Sequence, residues 1–312
     1  DVLRDADIAM YRNKLEGGGT YRVFDPTMHE EAVARLELES DLRRAVERDE
    51  IEVLYQPIVE LKTGRVLGFE ALARWHHPRR GPVPPEEFIA TAEESRLILE
   101  LDRRVLRTAC RELAGWREGS DPDGELFLSV NLSARHFRSE DLPDRLVATA
   151  AEYCIEPTRL NVEITESALM EGSERHRDAV RALQEAGIKV HIDDFGTGYS
   201  SLSYLHRFSI QALKIDRSFI RELEEGEGNR EIVEAIITLA SNLGIGVIAE
   251  GVETEAQAAI LRRLRCPFAQ GFHFAVPMPA DEVEEWLADA RKRAATWGES
   301  HTKAADGLHY AG

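Results

Sequence analysis

The sequence has no apolar run approaching the roughly 20 residues needed to cross a bilayer; stretches such as Ile245 to Ala249 and Phe127 to Val130 are far shorter. A membrane span in this chain is thereby excluded. It also lacks the succession of basic patch, apolar run and small-residue cleavage site that marks a secretory signal. It begins at Asp1 rather than Met, as expected of a segment cut from a longer protein. Cysteine is scarce: Cys110, Cys154 and Cys266 are odd in number, widely separated and without Cys-x-x-Cys spacing. That argues against a disulfide framework and for reduced thiols in the cytoplasm; a membrane anchor elsewhere in a full-length protein stays open. Positive charge is short as well, with 39 Lys and Arg against 57 Asp and Glu and a formal net charge of −18. Affinity for polymeric nucleic acid comes mostly from clustered Lys and Arg, so such a partner is not expected. A small anionic ligand, reached through metal ions, remains compatible with this charge. The 312 residues, 43% hydrophobic, suffice for one large domain or two small ones around a sizeable core.

The order of the segments narrows the fold. Asp5 to Leu15 reads as a short helix with Ile8, Tyr11 and Leu15 on one face, stopped by Gly17-Gly18-Gly19. After Asp25-Pro26, residues His29 to Arg48 form a charged amphipathic helix expected to bury Val33, Leu36, Leu42 and Val46. From Ile51 onward the pattern becomes short β-branched runs alternating with helices. The strand candidates are Val53 to Leu61, Val66 to Arg74, Leu126 to Asn131, Arg159 to Ile164, Ile188 to Asp193, Ala212 to Ile215, Gly246 to Ala249 and Phe268 to Gly271. Helical stretches follow at Ser139 to Tyr153, Glu174 to Ala186, Ser200 to His206, Asn229 to Leu243, Glu255 to Leu264 and Ala280 to Arg293. The turn Lys62-Thr63-Gly64 joins the first two strands as an antiparallel hairpin. The expectation is an α/β fold, a modified TIM (β/α)8 barrel with an antiparallel first strand. Residues 27–297 form its domain, and the aperiodic residues 298–312 are expected to be a disordered tail.

In such a barrel the side chains at the carboxyl ends of the strands converge on one mouth. Those ends carry Glu70, Asn131, Glu163, Asp193-Asp194, Lys214, Glu250 and Gln270, polar groups where a merely structural mouth would be apolar. Crowded carboxylates repel one another and take up protons unless cations neutralise them. Oxygen donors from Glu, Asp and Asn suit magnesium or manganese, and no His-Glu-x-x-His zinc pattern is present. A cluster this rich can hold two ions about 3.5 to 4 Å apart, an arrangement that activates water and supports in-line phosphoryl displacement. Lys214 adds one positive charge to orient that water or to counter charge in the transition state. The residue types therefore point to phosphoester hydrolysis.

The blocks around these residues resemble those of the EAL phosphodiesterases. They run Phe69-Glu70-Ala71-Leu72-Ala73-Arg74-Trp75, Ser129-Val130-Asn131-Leu132-Ser133, Val162-Glu163-Ile164-Thr165-Glu166-Ser167, Asp193 to Ser201, Leu213-Lys214-Ile215-Asp216, Ala249-Glu250-Gly251-Val252-Glu253 and Gln270-Gly271-Phe272. The resemblance spans about Leu36 to Leu287 and implies hydrolysis of cyclic di-GMP to linear 5'-pGpG with two divalent cations, magnesium or manganese, and inhibition by calcium. It implies that Glu70, Asn131, Glu163 and Asp193 bind one ion and that Asp193, Asp194 and Glu250 bind the other. Lys214 would contact the attacking water and Glu250 act as base. Gln56, Leu72, Arg74 and Gln270 would contact substrate, Arg74 through a phosphate. Glu166 would brace the loop after Asp193 and Glu253 the adjoining site, although capping a helix would look the same in sequence. A homodimer is also implied. A second resemblance covers residues 1–26: Arg4-Asp5-Ala6-Asp7-Ile8-Ala9-Met10-Tyr11 and Tyr21-Arg22-Val23-Phe24 are similar to the end of a GGDEF domain, whose own signature is absent. The full protein is then expected to carry upstream GGDEF and sensory domains.

Other signals have plainer readings. Asp194-Phe195-Gly196 matches a kinase tripeptide, but no Gly-rich phosphate loop or His-Arg-Asp loop accompanies it. His191 suits barrel-core packing, and His76-His77-Pro78 suits a turn after the second strand. Two rival functions stay open at this point: a receptor that binds cyclic di-GMP without cutting it, and a broad phosphodiesterase for other small esters.

Overall fold

The structure is a computed structural model that describes residues 23–119, 121, 125–170, 174–197, 205, 208, 210–224 and 227–305, with Ala6, Ala9, Met10, Asn13 and Tyr21. The expected helices at Asp5 to Leu15 and Ser200 to His206 lie mostly outside these residues. The chain divides into two compact units, Asp1–Glu52 with Arg74–Leu101, and Val53–Ala73 with Asp102–Gly312.

The second unit contains the barrel. The strands are β1 (Ile51–Glu60), β2 (Val66–His77), β4 (Phe127–Asn131), β5 (Leu160–Thr165), β6 (Lys189–Phe195), β7 (Ala212–Ile215), β8 (Gly246–Ala249) and β9 (Phe268–Ala269), of which the first two residues of β1 and the last four of β2 are counted with the first unit. From β2 through β4 to β9 each neighbour is parallel. β1 runs antiparallel to β9, pairing Val59 with Ala269, and also pairs with β2, which closes the ring. This is the eight-stranded mixed barrel expected from the sequence. The β1–β2 hairpin turns at Gly64, whose φ of 69° is the left-handed geometry glycine supplies without strain. β5 and β7 bury nearly every residue, so a β-branched run rather than an alternating one is what such a strand requires. Tyr55 packs edge to face on Trp116, and the Phe69 ring lies tilted against the same indole.

Helix Ile98–Gly119 buries Leu101, Val105, Leu106, Ala109, Leu113 and Trp116. It and helix Pro85–Ser95 occupy an interval for which no element was anticipated. The last helix, Ala280–Ala305, runs into the expected tail, of which residues 306–312 lie outside the described set. Among the described residues no helix is long and apolar enough to cross a membrane.

In the first unit, helix Pro26–Glu47 starts with Pro at its first turn, and the Asp25 side chain accepts the Thr27 N–H at 2.9 Å. It packs on helix Pro85–Ser95, with Arg35 paired to Glu94 across the two, and Leu38, Leu42, Ala45 and Val46 are buried. The expected burial of Val33 and Leu36 is corrected: they are 41% and 67% exposed, because at about 100° per residue they fall on the side of the helix away from the buried Met28, Leu38, Leu42, Ala45 and Val46. The turn expected at His76-His77-Pro78 begins only at Pro78. His76 and His77 end β2 and pair with β3 (Gly81–Val83). His77 is buried; its Nε2 donates to Asp41 Oδ2 at 2.8 Å, and its Nδ1 accepts the backbone N–H groups of Arg79 and Arg80, each at 3.1 Å.

Candidate active site

Seven strands deliver polar side chains to the carboxyl end of the barrel. Glu70 lies on β2, Asn131 at the end of β4, Glu163 on β5, Asp193 and Asp194 on β6 and Lys214 on β7. Glu250 and Gln270 sit one residue past β8 and β9, where their N–H groups continue the ladder to Ile215 and Ala249. Lys214 is the centre. Its Nζ lies 2.5 Å from Glu163 Oε2, 2.6 Å from Glu250 Oε1, 3.2 Å from Glu70 Oε2 and 3.3 Å from Asp193 Oδ1. Lys214, Glu70 and Glu163 are buried, so this charge pairing replaces water that cannot reach them.

Amides complete the array. Asn131 Nδ2 donates to Glu70 Oε1 at 2.7 Å, and Gln270 Nε2 donates to Glu70 Oε2 at 2.7 Å and to Gln56 Oε1 at 2.9 Å. Gln56 on β1 in turn donates to the carbonyl of Ala275 at 3.0 Å. Glu70, Leu72 and Arg74 alternate along β2 and so share one side of that strand; Leu72 and Arg74 are half-buried, and Arg74 belongs to the first unit.

Neighbouring residues of a regular strand point to opposite faces, which would separate Asp193 from Asp194. A bulge prevents this. Ile192 pairs with Leu213, but the next pair is Phe195 with Ile215, so three steps of β6 meet two of β7. Asp194 takes the left-handed conformation with φ of 54°, which Asp tolerates better than most residues. As a result one carboxylate oxygen from each of Asp193, Asp194 and Glu250 lies within 4.8 Å of the others. Gly196 follows, at φ of 100°, and a Cβ there would stand 2.8 Å from the Phe219 ring. The Gly196 N–H donates to Glu166 Oε2 at 3.0 Å, which ties the start of the loop after β6 to β5's exit. Residues 198–204 lie outside the described residues. Glu253 is exposed, and its backbone N–H donates to Gln257 Oε1 at 2.7 Å, beside the capping box that Thr254 forms with Gln257.

The electrostatics follow from burial and crowding. Burial raises the Glu163 carboxyl well above its ordinary value, the charge of Glu70 adds to the effect, and Lys214 opposes it. Burial also acts on Glu250, which rises to about 8 despite Lys214, helped by the charges of Asp193 and Glu70. For Glu70 burial is outweighed by Lys214 and the amides of Gln270 and Asn131, so its carboxyl falls below the usual value. Burial and then the charge of Asp193 raise Asp194. Lys214 is pulled the other way: burial disfavours its charge, but the surrounding carboxylates hold it far above the usual lysine range. His191 is buried beside this array and is driven down to about 3 by burial and by Lys214, so it is a neutral core residue. The site is thus short of positive charge, with protons partly standing in for cations.

Asp102 was not singled out from sequence. Its Oδ2 accepts the Ser133 N–H and faces His136 Nε2, both at 3.1 Å, directly behind Asn131. A signal existed: Ile98, Asp102, Val105 and Ala109 fall at helical spacing, which places a carboxylate inside an apolar stripe.

Comparison with known proteins gives a consistent picture. The EAL domain family model matches residues 39–277. The chain is 41% identical over 293 residues to the cyclic di-GMP phosphodiesterase PdeR of Escherichia coli K12, covering 94% of this chain and 44% of that protein. It is 40% identical over 283 residues to the bifunctional diguanylate cyclase/cyclic di-GMP phosphodiesterase MucR of Pseudomonas aeruginosa, covering 91% and 41%. The chain therefore spans less than half the length of these curated relatives. Among solved structures, the MucR phosphodiesterase in complex with c-di-GMP aligns with a TM-score of 0.75 at 41% identity, over 79% of this chain and 99% of that one. The EAL enzyme Bd1971, in its cAMP- and cyclic-di-GMP-bound form, aligns with a TM-score of 0.79 at 30% identity, over 92% and 75%.

Proposed function

Because the chain belongs to the EAL-domain family, we propose that its barrel mouth hydrolyses cyclic di-GMP to linear 5'-pGpG with divalent metal. The observation that carries this reading is Lys214 ringed by carboxylates from four separate strand ends, with Asp194 beside them. The residues fit metal on their own chemistry. The Asp193, Asp194 and Glu250 oxygens are close enough to share one ion. Glu163 Oε1 is buried with no hydrogen-bond partner among the described residues, an acceptor without a donor. All the donors are oxygen, which suits a hard cation such as magnesium or manganese and disfavours zinc or copper.

In this reading Glu70, Asn131, Glu163 and Asp193 hold one cation and Asp193, Asp194 and Glu250 a second. Bound there, the cations supply Lewis-acid stabilisation of the phosphoryl oxygens and make water more acidic. The chain's own residues do the rest. Lys214 orients the attacking water and counters charge that develops on the phosphate. Glu250, whose Oε1 stands 2.6 Å from Lys214 Nζ, takes the proton of that water as the base. Arg74 holds a substrate phosphate, while Gln56, Leu72 and Gln270 line the nucleotide pocket. Glu166 fixes the loop after β6 through Gly196, and Glu253 supports the adjoining segment. Calcium, with longer and looser coordination, should inhibit. A homodimer and upstream domains of the GGDEF type belong to the same proposal, supported by the similarity of residues 4–11 to the end of such a domain and by the greater length of the relatives.

The deciding experiment incubates the purified chain with cyclic di-GMP and magnesium or manganese and follows pGpG by chromatography. Release of pGpG that stops on chelation is expected, as is its loss in Glu70→Ala with the fold retained. Tight binding without pGpG would instead make the chain a receptor. Equal cleavage of a chromogenic diester would make it a broad phosphodiesterase.

A further inference from the structure

Asn131 is held at its side chain by the hydrogen bond from its Nδ2 to Glu70 Oε1. It is exposed, ends its strand, and belongs to a residue type that turns as readily as it ligates. Its neighbours remove that freedom by backbone hydrogen bonds of different origin. The Leu132 N–H donates to the Glu163 carbonyl at 2.9 Å, which continues the β4–β5 ladder. The Ser133 N–H has no ladder partner, because the chain leaves the sheet there to start the short helix Ala134–Arg138. Asp102, reaching from helix Ile98–Gly119, accepts that N–H at 3.1 Å. The same oxygen, Oδ2, stands 3.1 Å from Nε2 of His136, which is 97% buried and whose Nδ1 has no partner among the described residues. Since a carboxylate can only accept, Nε2 carries the proton, and the ring buttresses the carboxylate. The Ser133 side chain accepts the Arg135 N–H at 3.3 Å, and the His136 N–H bonds the Ser133 carbonyl at 3.1 Å, so the turn is closed on itself.

We propose that Asp102 is a positioning residue for the metal site: through Ser133 and His136 it fixes the exit of β4, and thereby aims Asn131 at Glu70 and the proposed ion. The inference rests on the metal reading of the site given above. Asp102 touches neither substrate nor ion; it acts as outer-layer partners of metal ligands do, and their loss typically weakens metal affinity by roughly ten- to a hundredfold. The pair is contained in the unit that holds the barrel, so its effect on Asn131 needs no rearrangement elsewhere.

The test measures manganese binding to the 312-residue chain without substrate, from the electron paramagnetic resonance signal of free Mn2+, alongside thermal unfolding in chelator. Asp102→Ala should weaken binding roughly tenfold, and Asp102→Asn, which keeps an acceptor oxygen, about threefold, with both unfolding within a few degrees of wild type. Should the Ala variant fail to fold, the Asn variant decides alone. Affinity equal to wild type in the folded variants overturns the inference and leaves the metal reading standing. A wild-type chain that binds no Mn2+ overturns the metal reading, and the inference with it.

Discussion

Lys214 has no water to solvate its charge; the carboxylates of Glu70, Glu163, Asp193 and Glu250 hold its ammonium instead. Each of those carboxylates depends on it in return: Glu70 keeps the amides of Asn131 and Gln270 without it, but the crowded charges lose their shared cation. Breaking a buried ion pair by removing one partner costs about 3–5 kcal/mol, because the remaining charge stays buried and unpaired. Lys214→Met should therefore lower stability by about that amount in chelator, and manganese should return part of it by supplying the missing positive charge. Turnover should fall by roughly a hundredfold or more, as when a preorganised electrostatic donor is lost. Unfolding midpoints with and without manganese, and pGpG release, check both. A variant as stable as wild type in chelator, or active within a few-fold of it, removes Lys214 from the centre of the site. The sequence marks Lys214 as a strand-end cation, but the convergence of four carboxylates on it depends on strand order and register, which no local pattern encodes.

Elements show the same division between what a pattern carries and what packing decides. The runs Ala212 to Ile215 and Gly246 to Ala249 are strands over the residues anticipated, because a short apolar or β-branched run bounded by polar residues has little else it can be. Asp193 and Asp194 were placed at the end of their strand, yet their joint approach to Glu250 needs a bulge, and a bulge leaves no compositional mark here. The helices Pro85–Ser95 and Ile98–Gly119 escaped notice partly because the break between them is Arg96, left-handed at φ of 66°, where glycine would have announced a helix end. Within the first unit the leading helix is pinned to β2 by Asp41, which pairs with His77, Arg44 and Arg79. The His77 hydrogen bond is the chief reason the Asp41 carboxyl drops to about 2; burial opposes it and the two arginines assist it. A depressed carboxyl contributes stability above its unfolded value of roughly 3.9 and loses it as pH falls through the folded value. Wild type should thus be more stable than Asp41→Asn above about pH 4, and the two should converge toward about pH 2. Urea midpoints measured across that range test this, and a gap that persists undiminished at the acid end would mean that the charge of Asp41 is not what holds the helix.

For the molecule as a whole the governing quantity is the formal net charge of −18. A cyclic dinucleotide brings two phosphates toward that field, and the proposed pair of divalent cations offsets only a small part of it. At about 10 mM salt the screening length is roughly 30 Å, so an approaching anion senses much of the surface; at about 150 mM it is roughly 8 Å, and only the mouth is within range. The mouth is where Lys214 lies and where the proposed cations would sit. Long-range repulsion should therefore fade with added salt while the short-range attraction persists, because buried pairs are screened far less than exposed ones. At saturating metal, kcat/KM for cyclic di-GMP should rise by a few-fold between those two salt concentrations with kcat unchanged, since the effect is on encounter and not on chemistry. Initial rates measured in an inert monovalent salt give the answer. A fall in kcat/KM over the same interval would mean that the cationic mouth, and not the acidic surface, dominates the field met by the substrate.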